Sequence, residues 1–243
     1  FLSEGKIVFG TGSGGAYDAS AFQQTKPGLL KAHRWHHVVG SWDGKKKRIY
    51  LDGKVVAEAA FAGPTRPGKT ALRIGAYGEE GKAVNFHNGD VAMCAVYDRA
   101  LNEDQVKKRF ADRGLSVPKN DRLLACWPFT EEKGKQVTDA SDFGRDARII
   151  NRGTWMIGGP SFNASAINRH DSQYDPTKDE KRGYGLRLAS DEIYNAHWKV
   201  NHRFRLPPDA KSGVYAGRFD FKLKGKPMRY HTSFIVRRPE SKP

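Results

Sequence analysis

Three histidines within five residues, His33, His36 and His37, are the first place to look for chemistry, because imidazole is the commonest metal ligand at neutral pH. Strand alternation puts His36 and His37 on opposite faces, so at most His37 joins Trp35 inside. No convergent His or carboxylate accompanies them as a metal would require, and His37 reads as a hydrogen-bonded core residue. His87, His170, His197, His202 and His231 are dispersed. The acidic candidates are the adjacent pairs Glu79-Glu80, Glu131-Glu132 and Asp179-Glu180. Glycoside hydrolysis needs two carboxylates flanking one bond at a set separation, whereas neighbours on a strand point apart. All three pairs lie in turn-like sequence and read as solvated surface. No catalytic and no cofactor-binding residue is assigned. Two groups remain as contact candidates. The densest basic cluster, Lys45, Lys46, Lys47 and Arg48, is a candidate polyanion contact. Asp191, Glu192, Tyr194 and Trp198 are a candidate domain junction or interface, with Trp198 expected buried as a packing anchor.

The elements that must position these groups are short strands. Asp43-Gly44 and Asp52-Gly53 each sit between β-rich runs, and Asp-Gly is the preferred dipeptide of two-residue hairpin turns with positive φ at both residues. Residues 33–61 therefore read as a β-meander, with the basic cluster at a hairpin tip. One helix is expected after Asn102, which forms a capping-box-like start with Gln105; Val106 and Phe110 share a face, and Gly114 stands just past the end.

The pieces Trp35 to Val38, Asp43-Gly44, Arg48 to Gly53, Leu72 to Tyr77, Asn88 to Val91 and Tyr97 to Leu101 occur in one order that resembles a laminin-G-like, concanavalin-like jelly roll over roughly residues 1–115. The resemblance implies an all-β fold, an antiparallel sandwich with one short helix, here entered after its opening strands. Trp127 to Phe129, Asp139 to Ser141 and Ala147 to Asn151 are similar to the strand, loop and strand of the same fold, and are expected to complete the sandwich rather than start a second one. The expected organisation is a jelly roll over 1–160, a linker over 161–183 and a small antiparallel β-domain over 184–243. That last domain is read from four strands at 185–188, 198–206, 213–223 and 228–236. Some laminin-G-like modules bind calcium with rim carboxylates, for which Asp18, Asp43 and Asp90 are the candidates by type; Asp43 and Asp90 also have turn and strand-start explanations. The metal assignment stays open.

Tyr184 to Trp198, Phe204 to Pro207 and Ser212 to Ala216 resemble a segment of the large subunit of N,N-dimethylformamidase-like proteins, with departures at Glu192 and Asn195. That resemblance implies a parent enzyme of bacterial cytoplasm that hydrolyses small amides at an iron held outside this chain. The partners implied are a downstream catalytic domain and a small subunit or second copy. On this reading the chain is a non-catalytic structural or assembly portion. The alternative is a carbohydrate- or polyanion-binding laminin-G-like module, with an acidic glycan as partner.

Composition bounds both readings. A length of 243 residues allows one large or two smaller domains. A formal charge of +15 invites an anionic partner, yet the basic residues are spread along the chain without a nucleic-acid-binding motif. No apolar run approaches the ~20 residues of a membrane helix. Cys94 and Cys126 exclude a disulfide-rich scaffold and read as buried thiols, with one bridge possible if their strands are neighbours. The sequon Asn163-Ala164-Ser165 fits a loop and is short enough to arise by chance.

Overall fold

The computed structural model describes residues 2–12, 19–66, 71–79, 81–119, 122–163, 179, 182–189, 198–200 and 203–237. Asp18, Asp191, Glu192, Tyr194, His170, His197, His202 and most of the 161–183 linker lie outside them. The chain divides into two units, Phe1–Glu192 and Ile193–Pro243.

The first unit begins with an antiparallel sheet of β1 (Leu2–Ser3), β2 (Lys6–Gly10) and β3 (Phe22–Gln24). The expected meander follows as β4 (Val38–Trp42), β5 (Lys46–Leu51) and β6 (Lys54–Ala60). Its two turns differ. Asp52 and Gly53 both have positive φ, 51° and 79°, and join Leu51 to Lys54 as a tight turn. At the first turn Asp43 N–H donates to Lys46 O, so Gly44 and Lys45 are the central residues, and only Gly44 has positive φ. That is the Gly-first requirement of the II′ hairpin turn rather than the Asp-Gly one.

Strand β5 is buried on both faces. Ile49 and Leu51 meet Ile7 and Phe9 of the opening sheet, while Tyr50 faces Leu101 and Val106. The approach of β4 to β2 is close. A Cβ on Gly40 would lie 2.4 Å from the Phe9 ring, so only glycine fits there.

Next come the hairpin β7 (Tyr77–Glu79) and β8 (Lys82–Val84), then β9 (Gly89–Val91), β10 (Cys94–Tyr97) and α1 (Glu103–Asp112). The strand expected at 72–77 begins only at Tyr77. Ile74 precedes it in bent backbone, yet its side chain still packs on the core. Helix α1 carries the full capping box. Gln105 N–H donates to Asn102 Oδ1 at 2.9 Å, and Asn102 N–H donates to Gln105 Oε1 at 3.0 Å. Val106 is fully buried and anchors the helix.

The remaining strands of this unit are β11 (Leu123–Trp127), β12 (Gln136–Val137), β13 (Ala147–Arg148), β14 (Thr154–Ile157) and β15 (Tyr184–Leu188). Strand β11 pairs with β10, and β15 lies between β14 and β9. Strands β11, β14 and β15 therefore complete sheets begun earlier, while β12 and β13 pair with each other, around a core of Ala125, Trp127, Phe129, Val137 and Leu186.

This corrects the domain boundary expected at 184. Tyr184–Leu188 hydrogen-bonds into the first unit because Leu186 and Leu188 are needed to fill its core. The second unit accordingly has two of the four expected strands, β16 (Gly213–Leu223) and β17 (Lys226–Val236), paired in register along their whole length. Residues 198–206 form no strand in their described part. No described helix is long and apolar enough to cross a membrane.

Candidate functional site

The basic cluster does not act as one group. Alternation along β5 turns Lys47 to the same face as Ile49 and Leu51, and it is 1% exposed. Its Nζ donates to Thr11 Oγ1 at 2.8 Å and to Ala21 O, and lies 3.6 Å from the Phe61 ring centroid. Arg48 turns outward and is held by Asp43 at 2.7 Å and Glu58 at 2.6 Å; Lys46 shares Glu58 at 2.7 Å. The Arg48 guanidinium, then the Lys46 and Lys45 amides, hold the Asp43 carboxyl far below the usual carboxylate range. Lys47 therefore cannot be a polyanion contact, and Lys46 and Arg48 already have their anions. Lys45 alone is exposed without an ion pair among the described residues.

The histidines are equally engaged. His36 Nδ1 meets Asp52 Oδ2 at 2.8 Å and its Nε2 accepts from Lys31 N–H at 3.0 Å, which fixes the tautomer with the proton on Nδ1. His37 N–H donates to Asp52 Oδ1 at 2.9 Å, and the ring lies 6.2 Å from Phe110. Burial pushes the His37 imidazole down against the opposing pull of Asp52. His37 is half-buried and its Nδ1 is buried without a hydrogen-bond partner, so the bond expected of a core histidine is made by its backbone N–H and not by that nitrogen.

Among the described residues no three His, Cys, Asp or Glu side chains are grouped to hold a metal ion. Asp90 faces Arg187 across the β9–β15 ladder and is taken up by its guanidinium at 2.9 and 3.3 Å. Asp43 is the turn residue it resembles. Cys94 and Cys126 are free, and the register explains why. Cys94 stands opposite Trp127 and Cys126 opposite Ala95, so the two thiols point to opposite faces of one ladder.

Trp198 corrects its expectation most sharply. It is 88% exposed, in a stretch with no strand among the described residues. The other three members of its group are outside those residues.

What the structure brings together instead is a groove of about 210 Å³, lined by Phe129, Glu132, Trp155, Ile157, Arg182 and Tyr184. The register puts Trp155 opposite Leu186 and Ile157 opposite Tyr184. The core face of β14 and β15 thus runs out past Leu186 to an open end, and the groove forms there. The loop before β12 closes one side, pinned by Trp155 Nε1–H donating to Gly134 O at 3.0 Å. Arg182 is 5% exposed, pairs with Glu132, and stacks 4.5 Å from the Tyr184 ring centroid. Its Nε is buried without a hydrogen-bond partner. Glu131 is also drawn inward: its Oε1 accepts from Thr138 N–H at 2.6 Å, while Oε2 is buried and unpartnered. Both acids of the Glu131-Glu132 pair are half-buried, so that pair is not the solvated surface expected of it.

Sequence reasoning passed over Arg182 because it sits in the run Asp-Glu-Lys-Arg-Gly, which looks like solvent-facing charge. Only the pairing of β15 with β14 reveals that this run ends beneath a sheet. The available signal was Phe129 and Trp155 on either side of a turn-rich acidic loop.

Residues 1–107 match the family model of the concanavalin A-like lectin/glucanases superfamily. The fold of the first unit is thus of the laminin-G-like, concanavalin-like kind, and strands β11 to β15 extend it beyond the matched residues. No curated protein matches the chain. One solved structure, a proposed carbohydrate-binding protein from Bacteroides ovatus, is similar at 24% identity and a TM-score of 0.41. The similarity covers 51% of this chain and 38% of that one, so this chain spans well under half of that protein's length.

Proposed function

We propose that the first unit is a carbohydrate-binding module and that the groove at the open end of β14 and β15 is its sugar subsite. The observation that carries the reading is the lining. Trp155 and Tyr184 offer apolar ring surface for the C–H face of a sugar, and the Glu132–Arg182 pair offers acceptors and donors for its hydroxyls. The match of residues 1–107 to a superfamily of lectins and glucanases supports the same class of ligand. The groove is smaller than the usual small-molecule pocket of roughly 300–1,000 Å³, which favours one sugar ring seated at an open edge.

The charge of the groove selects within that class. Glu132 and Arg182 compensate each other, so the site suits neutral sugars, whereas the acidic-glycan alternative rests on the overall charge of +15, and in the densest basic cluster Lys45 alone is neither paired nor buried.

Calorimetric titration with neutral and with sulfated or uronic-acid oligosaccharides tests this. Saturable binding of a neutral oligosaccharide is expected, little changed by salt. Ile157→Asp, at an exposed rim position, should abolish it, and Glu132→Gln should weaken it about tenfold through loss of a charge-assisted hydrogen bond. Salt-sensitive binding of acidic glycans alone, untouched by either substitution and lost in Lys45→Gln, would overturn the assignment.

The amidase-subunit reading rests on residues 184–216. The structure divides that motif between the two units, with Tyr184–Leu188 serving the first unit's core. The comparisons lend it no support, and no feature of the site favours it.

A further inference from the structure

The hairpin β16–β17 is amphipathic in a way the first unit is not. Phe219, Phe221 and Leu223 alternate along one face of β16, and the register sets Tyr230 and Met228 opposite the two phenylalanines on that same face. All five are exposed, from 44% at Phe219 to 64% at Tyr230. The reverse face carries Arg218, Asp220, Lys222 and Arg229.

The charges are distributed unevenly along its length. In mid-hairpin, Asp220 takes Arg218 at 3.0 Å and Arg229 at 2.6 Å. At the tip, Lys226 stands opposite Leu223 on the apolar face, Lys224 lies in the turn and Lys222 flanks Leu223 from the reverse face, and among the described residues none of the three meets a carboxylate. Asp220 is the sole acid between Gly213 and Arg237. The occupant of this face must therefore be apolar beneath the phenylalanines and anionic around the tip.

We propose that the tip of this hairpin docks on an anionic lipid surface, with Phe221, Leu223 and Met228 entering the interface and the three lysines reaching the headgroup phosphates. Lysines suit that position because their stems lie along apolar surface while the ammonium stays in the polar layer. The juxtamembrane potential of an anionic leaflet adds to the attraction of each.

Two other occupants fit less well. Single-stranded nucleic acid would need rings along a basic track, but Leu223 and Met228 offer none and the lysines gather at one end. A second copy would bury about 400 Å² per partner on a face roughly 37 Å by 10 Å, against the roughly 800 Å² of a standard interface. It would also bring two basic hairpins together.

The test is co-sedimentation of the full chain with phosphatidylcholine vesicles, with and without phosphatidylserine. Binding should require phosphatidylserine and fall with added salt. Leu223→Asp, at an exposed position that leaves the fold intact, should abolish it. The triple variant Lys222→Gln, Lys224→Gln, Lys226→Gln should lower it about a hundredfold, at roughly fivefold per lysine. No binding to phosphatidylserine vesicles at low salt, or binding that Leu223→Asp leaves unchanged, would overturn the proposal. So would a dimer in sedimentation equilibrium that Leu223→Asp dissociates, or tighter binding of oligo-dT than of vesicles.

Discussion

Strands β5 and β16 carry the same kind of alternation, and it has opposite consequences. In β5, Ile49 and Leu51 lie against the opening sheet and Tyr50 against the helix side, so both faces of the strand are covered. In β16, Phe219, Phe221 and Leu223 alternate just as regularly, yet all three are exposed. The hydrophobic pattern specifies which face of a strand seeks burial; what covers that face is decided by the layers the rest of the chain supplies. A two-stranded hairpin is marginal by itself in water, so the second unit is the part whose stability should depend on a partner.

The largest expected effect separates the two strands directly. Ile49 is fully buried, and Ile49→Ala should cost about 3 kcal/mol through lost transfer energy and the cavity left behind. Leu223→Ala removes a comparable apolar side chain from an exposed position and should stay within about 0.5 kcal/mol. Urea unfolding of each variant measures this. Similar losses at the two sites would mean that the hairpin face is covered after all.

A second break falls within the first unit, where polar burial rather than apolar burial holds a loop. Asp139 Oδ1 accepts from Cys126 N–H at 2.8 Å and Ser141 N–H at 2.9 Å, and Oδ2 accepts from Ser141 Oγ at 2.7 Å and Arg145 N–H at 2.8 Å. Burial by itself would raise this carboxyl, but the hydrogen bonds together outweigh it and hold it at about 2. Asp139→Ala strands these donors and should cost about 2–3 kcal/mol at neutral pH. Because the folded value is depressed, the stabilisation is complete above the ordinary carboxylate range near pH 4 and is lost as pH falls through about 2. The stability gap between wild type and variant should therefore close across that window. A gap that is constant from neutral pH to acid would show that the folded and unfolded carboxyls titrate alike, so that these hydrogen bonds do not favour the ionised form.

Much of the fold was legible because local chemistry announced it. The Asn102–Gln105 capping box, the positive-φ turn at Asp52-Gly53 and the strand Arg48–Leu51 appear where the residues suggest, whereas the piece at 72–77 is a strand only from Tyr77. The boundary at 184 was not legible, because Gly-Leu-Arg-Leu reads as a strand without saying whose sheet it joins; only pairing with β9 assigns it. The site was less legible still. Arg182 and Glu132 are 50 residues apart, and both look like solvated charge until β14 and β15 bring them under one edge. Lys47 is different, since the inward set Lys47, Ile49, Leu51 was there to be read as strand alternation. The charge run drew attention away from it.

Neighbours in that run sharpen the contrast. Lys47→Ala should cost about 2 kcal/mol, since it removes two hydrogen bonds and an aromatic contact from a buried position. Lys45→Ala, two residues away at the turn, should stay within about 0.5 kcal/mol. Thermal unfolding of the two variants decides it. Equal effects would mean that Lys47 is solvated and the cluster acts as one surface after all.

The smallest effect on stability gives a probe of which unit opens. Burial pushes the Cys94 thiol up to about 12 and the Cys126 thiol up to about 11, the latter despite the nearby Arg109. Thiol reagents attack the thiolate, and at pH 8 almost none is present at either site in the folded protein. Both cysteines lie on the β10–β11 ladder of the first unit, and the second unit contains none. Labelling with a chromogenic disulfide should therefore follow the opening of the first unit alone. Adding vesicles or removing the hairpin's apolar tip by Leu223→Asp should leave its rate unchanged. A labelling rate that shifts with either would show that the hairpin supports the first unit's core, and the two regions would then have to be treated as one cooperative structure.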